Sequence, residues 1–229
     1  MTDELVPDEL VPDELVPDEL VMVIAIDGPA GAGKSTVGRA LARRLDLAYL
    51  DTGAMYRAMT FAALQRGVCE QDLNDIAAMA PTVLIEMTDC SVTVDGVDAT
   101  AAIRGRAVTE AVSQVSANPV VREVLVERQR AWVADHGGAV VEGRDIASVV
   151  FPDAALKLYI TASPRVRAER RVAEVGGDLG DMEASIIERD RKDSTRADSP
   201  LTAVPDATVV DTTGLSIDEV LEHIVAMLP

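Results

Sequence analysis

Short apolar runs at 21–26, 48–50, 139–141, 155–160 and 207–210 alternate along the chain with stretches whose apolar residues recur at helical spacing. Val37, Ala40, Leu41 and Leu45 predict a helix over Ser35–Leu45. A second helix is expected from about Gly53 to Gln65, capped by Thr52 and stopped at Gly67. Asn118-Pro119 opens a third that runs to about Asp135, with proline in the first turn. Ser216-Ile-Asp-Glu219 is a capping box that starts a terminal helix, with Val220, Leu221, Ile224, Val225 and Leu228 on its inner side. The runs at 139–141 and 155–160 suit buried parallel strands. Thr82–Met87, Ser91–Val94 and Val97–Thr100 alternate instead, and they turn at Asp95-Gly96, as in a small antiparallel insert. Strands alternating with helices predict an α/β fold, a three-layer sandwich around a central parallel sheet.

The first 21 residues break this pattern. Asp-Glu-Leu-Val occurs four times between positions 3 and 21, with Pro7, Pro12 and Pro17 between the copies. A five-residue period fits neither helix nor strand, and the prolines would interrupt a helix repeatedly. Residues 1–21 are therefore expected to form a disordered acidic tail, with an interaction tail as the alternative, and 22–229 to form the folded domain. The net charge of −18 argues against a nucleic-acid surface and against anionic membranes. Cys69 and Cys90 form no metal-binding spacing, and no stretch approaches a membrane span or a secretory signal. A soluble cytoplasmic protein is the expectation.

Chemistry enters at Gly28-Pro-Ala-Gly-Ala-Gly-Lys34-Ser35-Thr36, which follows the first apolar run and precedes the first helix. Its spacing, G-x-x-x-x-G-K-[ST], is that of the phosphate loop, or P-loop, of nucleoside triphosphate-binding proteins. Glycines let several backbone N–H groups converge on phosphate oxygens. Lys34 can reach the β and γ phosphates, and Ser35 can ligate Mg2+. ATP would thus be held by Gly28, Pro29, Ala30, Gly31, Ala32, Gly33, Lys34, Ser35 and Thr36.

A second phosphate needs further cations. Eighteen of the 21 basic residues are arginines, suited to planar bidentate contacts. Arg165, Arg167, Arg170 and Arg171 share one expected helix, and Arg189, Arg191 and Arg196 the next, around the tip Gly176-Gly-Asp-Leu-Gly180. This is either a helical lid over 165–196 or two solvated helices with internal ion pairs, the latter favoured for Arg165 and Arg191. Arg189, Asp193 and Arg196 fall on one helix face and suit either a phosphate and ribose or an internal salt-bridge row. Glu142-Gly-Arg144-Asp145 sits at a strand end, where ligands of open α/β sheets bind, and Glu142 can organise magnesium through water.

Together these segments resemble the bacterial cytidylate (CMP) kinases. The resemblance rests on Gly28–Thr36, Leu50-Asp-Thr-Gly-Ala-Met-Tyr-Arg57, Ser113-Gln-Val-Ser116, Val121-Arg-Glu123, Glu142-Gly-Arg-Asp145, Val150-Phe-Pro-Asp-Ala154 and Glu188-Arg-Asp190 through Arg196. It runs from Val23 to the terminal helix, with a lid tip that looks a few residues shorter than in some relatives. It implies a P-loop nucleoside-monophosphate kinase with a helical lid and a monophosphate-binding insert at about 82–105. It implies transfer of the γ-phosphoryl group of ATP to CMP, with dCMP as a second acceptor; a monomer is the separate expectation. The CMP site would comprise Thr52, Arg57, Ser113, Arg122, Arg144, Asp145, Arg189, Asp193 and Arg196. Asp145 and Ser113 would accept from the cytosine amino group and Arg122 would donate to the ring acceptors. Arg57, Arg144 and Arg196 would hold the monophosphate, and Arg189 and Asp193 the ribose. Lys34, Arg189 and Arg196 would serve the transfer itself.

Three other readings compete. One is a P-loop kinase for UMP, AMP or a small metabolite such as shikimate; the discriminator is the Ser113, Arg122 and Asp145 set, which suits cytosine but not a sugar-like acid. A GTPase-type switch would want N-K-x-D, and no lysine here follows an asparagine. A tether built on the acidic repeat would make the kinase core secondary.

Overall fold

Alternation along the strands decides the layering. In β1 (Met22–Asp27), Val23 and Ala25 pack into one apolar cluster while Ile24 and Ile26 pack into another. A strand apolar on both faces needs cover on both, and helices supply it. The computed structural model describes residues 21–88, 90–195 and 199–228, so the acidic repeat at 1–20 and Arg196 lie outside the described residues. Among these, β2 (Ala48–Asp51) follows α1 (Lys34–Leu45), and α2 (Thr52–Gln65) leads to a short α3 (Leu73–Met79). The small strands β3 (Ile85–Met87), β4 (Val92–Val94) and β5 (Val97–Asp98) come next, then α4 (Arg106–Val115) and α5 (Pro119–Asp135). β6 (Gly138–Glu142), a π-helical turn at Ile146–Val150, β7 (Leu156–Thr161), α6 (Pro164–Val175), α7 (Leu179–Ser194), β8 (Thr208–Asp211) and α8 (Ile217–Val225) complete the order.

The five main strands lie in the order β2-β6-β1-β7-β8, and every neighbouring pair is parallel. Leu41, Val220 and Ile224 of α1 and α8 pack with Ile24, Ile26, Val140 and Ile160 on one face. Met55, Met59 and Leu125 of α2 and α5 pack with Val23, Ala25, Leu50 and Val141 on the other. The three-layer α/β sandwich is thus present, and the register Met22↔Gly138 to Ile26↔Glu142 brings the ends of β1 and β6 level. That alignment places the phosphate loop beside the Glu142–Asp145 segment.

The small sheet is antiparallel in the order β3-β4-β5, turning at Asp95 (φ 51°) and Gly96 (φ 79°). The capping box at Ser216 and Glu219 and the Asn118 cap with Pro119 form as expected. Thr52 is not a cap. Asp51 occupies that position, its carboxylate accepting from Ala54 N at 2.9 Å, because an acid takes the first-turn amide and frees the Thr52 hydroxyl for β6. Gly67 (φ 69°) ends α2 with the Val68 N–H on Ala63 O and its own N–H on Leu64 O. The helices α3 and α4 and the π-helical turn carry no expectation from the sequence.

Candidate active site

The chain leaves β1 at Gly28, whose φ of 144° and crowding exclude any side chain: a Cβ there would stand 1.9 Å from Ile160 O. Gly31 (φ 76°) and Gly33 (φ 93°) continue the loop, and Gly33 hands it to α1 without a side-chain cap. The first-turn amides of α1 have no intrahelical acceptors, so they and the helix dipole present a site for anions. Lys34 is buried and donates from Nζ to Pro29 O at 3.0 Å. Burial, then the nearby Arg144, pushes its ammonium down to about 7, against the pull of Glu142 and Asp27. Phosphate oxygens beside it would favour the charged form again.

Glu142, the last residue of β6, ends under the start of α1. Its Oε1 accepts from Ser35 Oγ at 2.6 Å and from Tyr49 OH at 2.7 Å, and its backbone carbonyl accepts from Thr52 Oγ1 at 2.7 Å. Oε2 is buried and has no hydrogen-bond partner. Burial, then Asp51, raises the Glu142 carboxyl above the ordinary carboxylate range. An unsatisfied buried carboxylate oxygen beside a serine hydroxyl fits a magnesium ion whose remaining ligands are water and phosphate. Among the described residues no group of three or more His, Cys, Asp or Glu is placed to hold a metal ion.

One cavity of about 1160 Å³ is lined by Ala30 to Thr36, Glu142 and Arg144, and also by Arg57, Arg171 and Arg189. Arg57, from α2, donates from Nη1 to Ile103 O at 3.1 Å and to Thr109 Oγ1 at 2.9 Å. Arg144 reaches three ways: Nη1 to Gly28 O at 2.9 Å and to Gly143 O, and Nε to Asp193 Oδ2 at 2.9 Å. Arg122 of α5 and Asp145 form a buried ion pair. Thr52, Ser113, Arg122, Asp145 and Asp193 stand outside the lining of this cavity, and Arg196 is outside the described residues. Ser113 is half-buried on α4, and its carbonyl accepts from Ser116 Oγ at 3.1 Å.

The arginines of α6 divide into two kinds. Arg165 pairs with Glu169 and Glu183, and Arg191 of α7 pairs with Glu188, as expected of solvated helices. Arg167 is buried and donates to Ala30 O, Ala162 O and Asp190. Arg170 donates to Ala32 O, Thr212 Oγ1 and Thr212 O. These two brace the phosphate loop from behind through its carbonyls. Sequence reasoning missed several residues here. Arg104, which pairs with Asp51 at 3.7 Å, lines the cavity, as do Thr109, the loop residues Thr212 and Leu215, and Ile217 at the start of α8. Asp27 is 3% exposed and accepts from Ile146 N and Ala147 N, each at 2.8 Å. Burial pushes its carboxyl up to about 6 despite those two hydrogen bonds. The signal for Asp27 lay in an acid ending an otherwise apolar strand.

A parallel sheet that delivers a phosphate loop, a metal-fitting acid and a set of arginines to one cavity defines an ATP-dependent phosphotransferase of the P-loop class. A family model described as Cytidylate kinase matches residues 24–229. A cytidylate kinase of Corynebacterium efficiens is 46% identical over 215 residues, 90% of this chain and 94% of that protein. A bifunctional pantoate ligase/cytidylate kinase of a Synechococcus strain is 50% identical over 217 residues, 90% of this chain; the match spans only 40% of that longer protein. Among solved structures, a gluconokinase from Sinorhizobium meliloti 1021 covers 90% of each chain at 14% identity with a TM-score of 0.49, too remote to add to the argument. The chain belongs to the cytidylate kinase family.

Proposed function

We propose that the protein transfers the γ-phosphoryl group of ATP to CMP, giving CDP and ADP, with dCMP as a second acceptor. The observation that carries this reading is the single cavity lined both by the phosphate loop and by Arg57, Arg144 and Arg189. In such a transfer the acceptor phosphate is already ionised, so alignment and charge neutralisation suffice, and no general base or covalent intermediate is needed. The loop amides and Lys34 hold the donor phosphates. Ser35 and Glu142 would hold magnesium, which neutralises charge on the donor oxygens when bound. Arg57, Arg144 and Arg196 take the acceptor phosphate, and Arg189 and Asp193 the ribose.

Cytosine is read by Ser113, Arg122 and Asp145. The Arg122–Asp145 pair engages one guanidinium nitrogen and one carboxylate oxygen, and the remaining atoms offer the base a donor and an acceptor. Uracil would bring a carbonyl where Asp145 wants an amino group, a mismatch that costs heavily in a buried site. Residues 82–105 serve as the monophosphate-binding insert, 165–196 as the lid and 1–21 as a tail outside the kinase domain. The protein works as a cytoplasmic monomer on two small nucleotides. Among the described residues no helix is long and apolar enough to cross a membrane. The test is an ADP-release assay with Mg-ATP against CMP, dCMP, UMP, AMP and shikimate. CMP and dCMP should lead by a wide margin, and equal turnover of UMP would sink the cytosine assignment.

A further inference from the structure

Three consecutive residues at the end of β1 hold the segment that follows β6. Gly143 N donates to Ile26 O at 2.9 Å. Ile146 N and Ala147 N donate to the two carboxylate oxygens of Asp27. Arg144 Nη1 donates to Gly28 O. The held segment in turn carries two ion pairs that leave in different directions, Arg144 to Asp193 of α7 and Asp145 to Arg122 of α5. Everything that the acceptor reading assigns to this segment therefore hangs from one short stretch adjoining the phosphate loop.

Within that stretch the Asp27 backbone pairs with Tyr159 of β7, but its carboxylate is a group that the sheet does not require. Five backbone pairs from Met22↔Gly138 to Ile26↔Glu142 already fix β1 against β6. The Asp27 carboxylate acts beyond the last of them. It satisfies the first amides of the π-helical turn Ile146–Val150, which have no acceptor within the turn itself. The same bonds set the backbone of Asp145, which stands at φ −145° and ψ 28° immediately before that turn. Burying a carboxylate is costly, and a sheet end needing only closure would be served by an apolar residue.

We infer that Asp27 is a positioning residue for the acceptor nucleotide: by clamping the Ile146 and Ala147 amides it fixes Arg144 and Asp145 in the frame of the phosphate loop. Donor and acceptor phosphates are thereby held to one reference, and a shift near 1 Å between reacting groups is enough to slow transfer about 100-fold. The inference rests on CMP being the acceptor. It predicts an asymmetric defect, because both hydrogen bonds of Asp27 go to the acceptor-bearing segment, while the loop is shaped by its glycines and braced through its carbonyls by Arg167 and Arg170; toward Lys34, Asp27 contributes charge without a hydrogen bond.

The test measures KM for CMP and for ATP separately in Asp27→Asn, with thermal melting as the check on folding. Asn keeps one acceptor oxygen but turns an NH2 toward an amide N–H. The expected result is a rise in the CMP KM of about tenfold or more, with the ATP KM within about twofold of wild type. Asp27→Ser, which is shorter and withdraws from both amides, is the second variant should the first fail to fold. Unchanged KM values, or equal rises for both nucleotides, would overturn the inference. So would failure of both variants to fold, since Asp27 would then serve folding alone. Wild-type protein that turns over no CMP would instead break the acceptor reading itself, an outcome seen before any variant is made.

Discussion

The phosphate loop and the proposed acceptor wall would each hold part of a nucleotide, but with different materials. The loop uses backbone amides from within the contiguous stretch Gly28–Thr36, shaped by Gly28, Gly31 and Gly33 and braced from behind by Arg167 and Arg170. The wall uses side chains from α2, the segment after β6, α5 and α7, and two of its arginines are already engaged with Asp145 and Asp193. A loop of amides is ready before its ligand arrives. A wall of ion pairs must trade partners, so its affinity is a difference between two sets of contacts, and discrimination between bases comes from that difference.

Lys34→Ala tests the loop side hardest. Turnover should fall on the order of 10³-fold, because a transition-state charge loses a placed cation. Circular dichroism should show the fold intact, since the one hydrogen bond lost is to Pro29 O and the buried Glu142 carboxyl, already raised, can take up a proton when the ammonium is gone. Retained turnover would mean that the loop is not the donor site. Asp145→Ala tests the wall. It strands the buried Arg122 guanidinium and should cost about 3–5 kcal/mol of stability, besides raising the CMP KM. Adding Arg122→Met should recover most of the stability in urea melts without recovering CMP binding. If the double variant regains both, the pair is structural only.

The boundary between the two halves has a pH signature. The Asp27 carboxyl is raised from 3.8 to about 6, so between about pH 4 and pH 6 the folded chain keeps a proton that the unfolded chain has lost. The Asp27 contribution to stability therefore falls as pH rises through that window and is level above it. Relative to Asp27→Asn, which does not titrate, wild type should lose up to about 3 kcal/mol between pH 4 and pH 7. A flat difference in urea unfolding across that range would contradict the burial argument. The smallest effect is expected at Arg191→Ala, whose partner Glu188 is on the surface; CMP and ATP KM and the melting temperature should stay at wild-type values. A clear activity loss there would move Arg191 from the solvated face into the acceptor wall.

How much of this was legible in the sequence follows the same division. The loop is a contiguous pattern with a steric reason at each glycine, and the β1–α1 arrangement around it is as the spacing predicts. The sheet strands were readable as short apolar runs: β1 and β6 are apolar on both faces, whereas the edge strand β8 leaves Val209 exposed. The Asp51 cap was misassigned to Thr52, since both residues are good caps and only the backbone says which stands outside the helix. The short helices α3 and α4 went unseen because Leu73–Met79 spans too few turns to show a period and Arg106 opens α4 without a capping side chain. Arg167 and Arg189 look alike in sequence, yet one is bonded to loop carbonyls and the other lines the cavity; only packing separates them. Asp27 and Arg104 act across more than 50 intervening residues, so a local pattern can mark the acid that ends β1 but cannot name the partner of either.

The distribution of charge has a consequence for encounter rates. The chain carries a net −18, yet Lys34, Arg57, Arg104, Arg144, Arg171 and Arg189 gather around one opening. To an approaching polyanion the net charge is repulsive at long range while these cations attract near the opening, so the approach to the opening is favoured before any contact forms. Such guidance works over about a Debye length and weakens as ions accumulate, so nucleotide association should slow with added salt more steeply than dissociation changes.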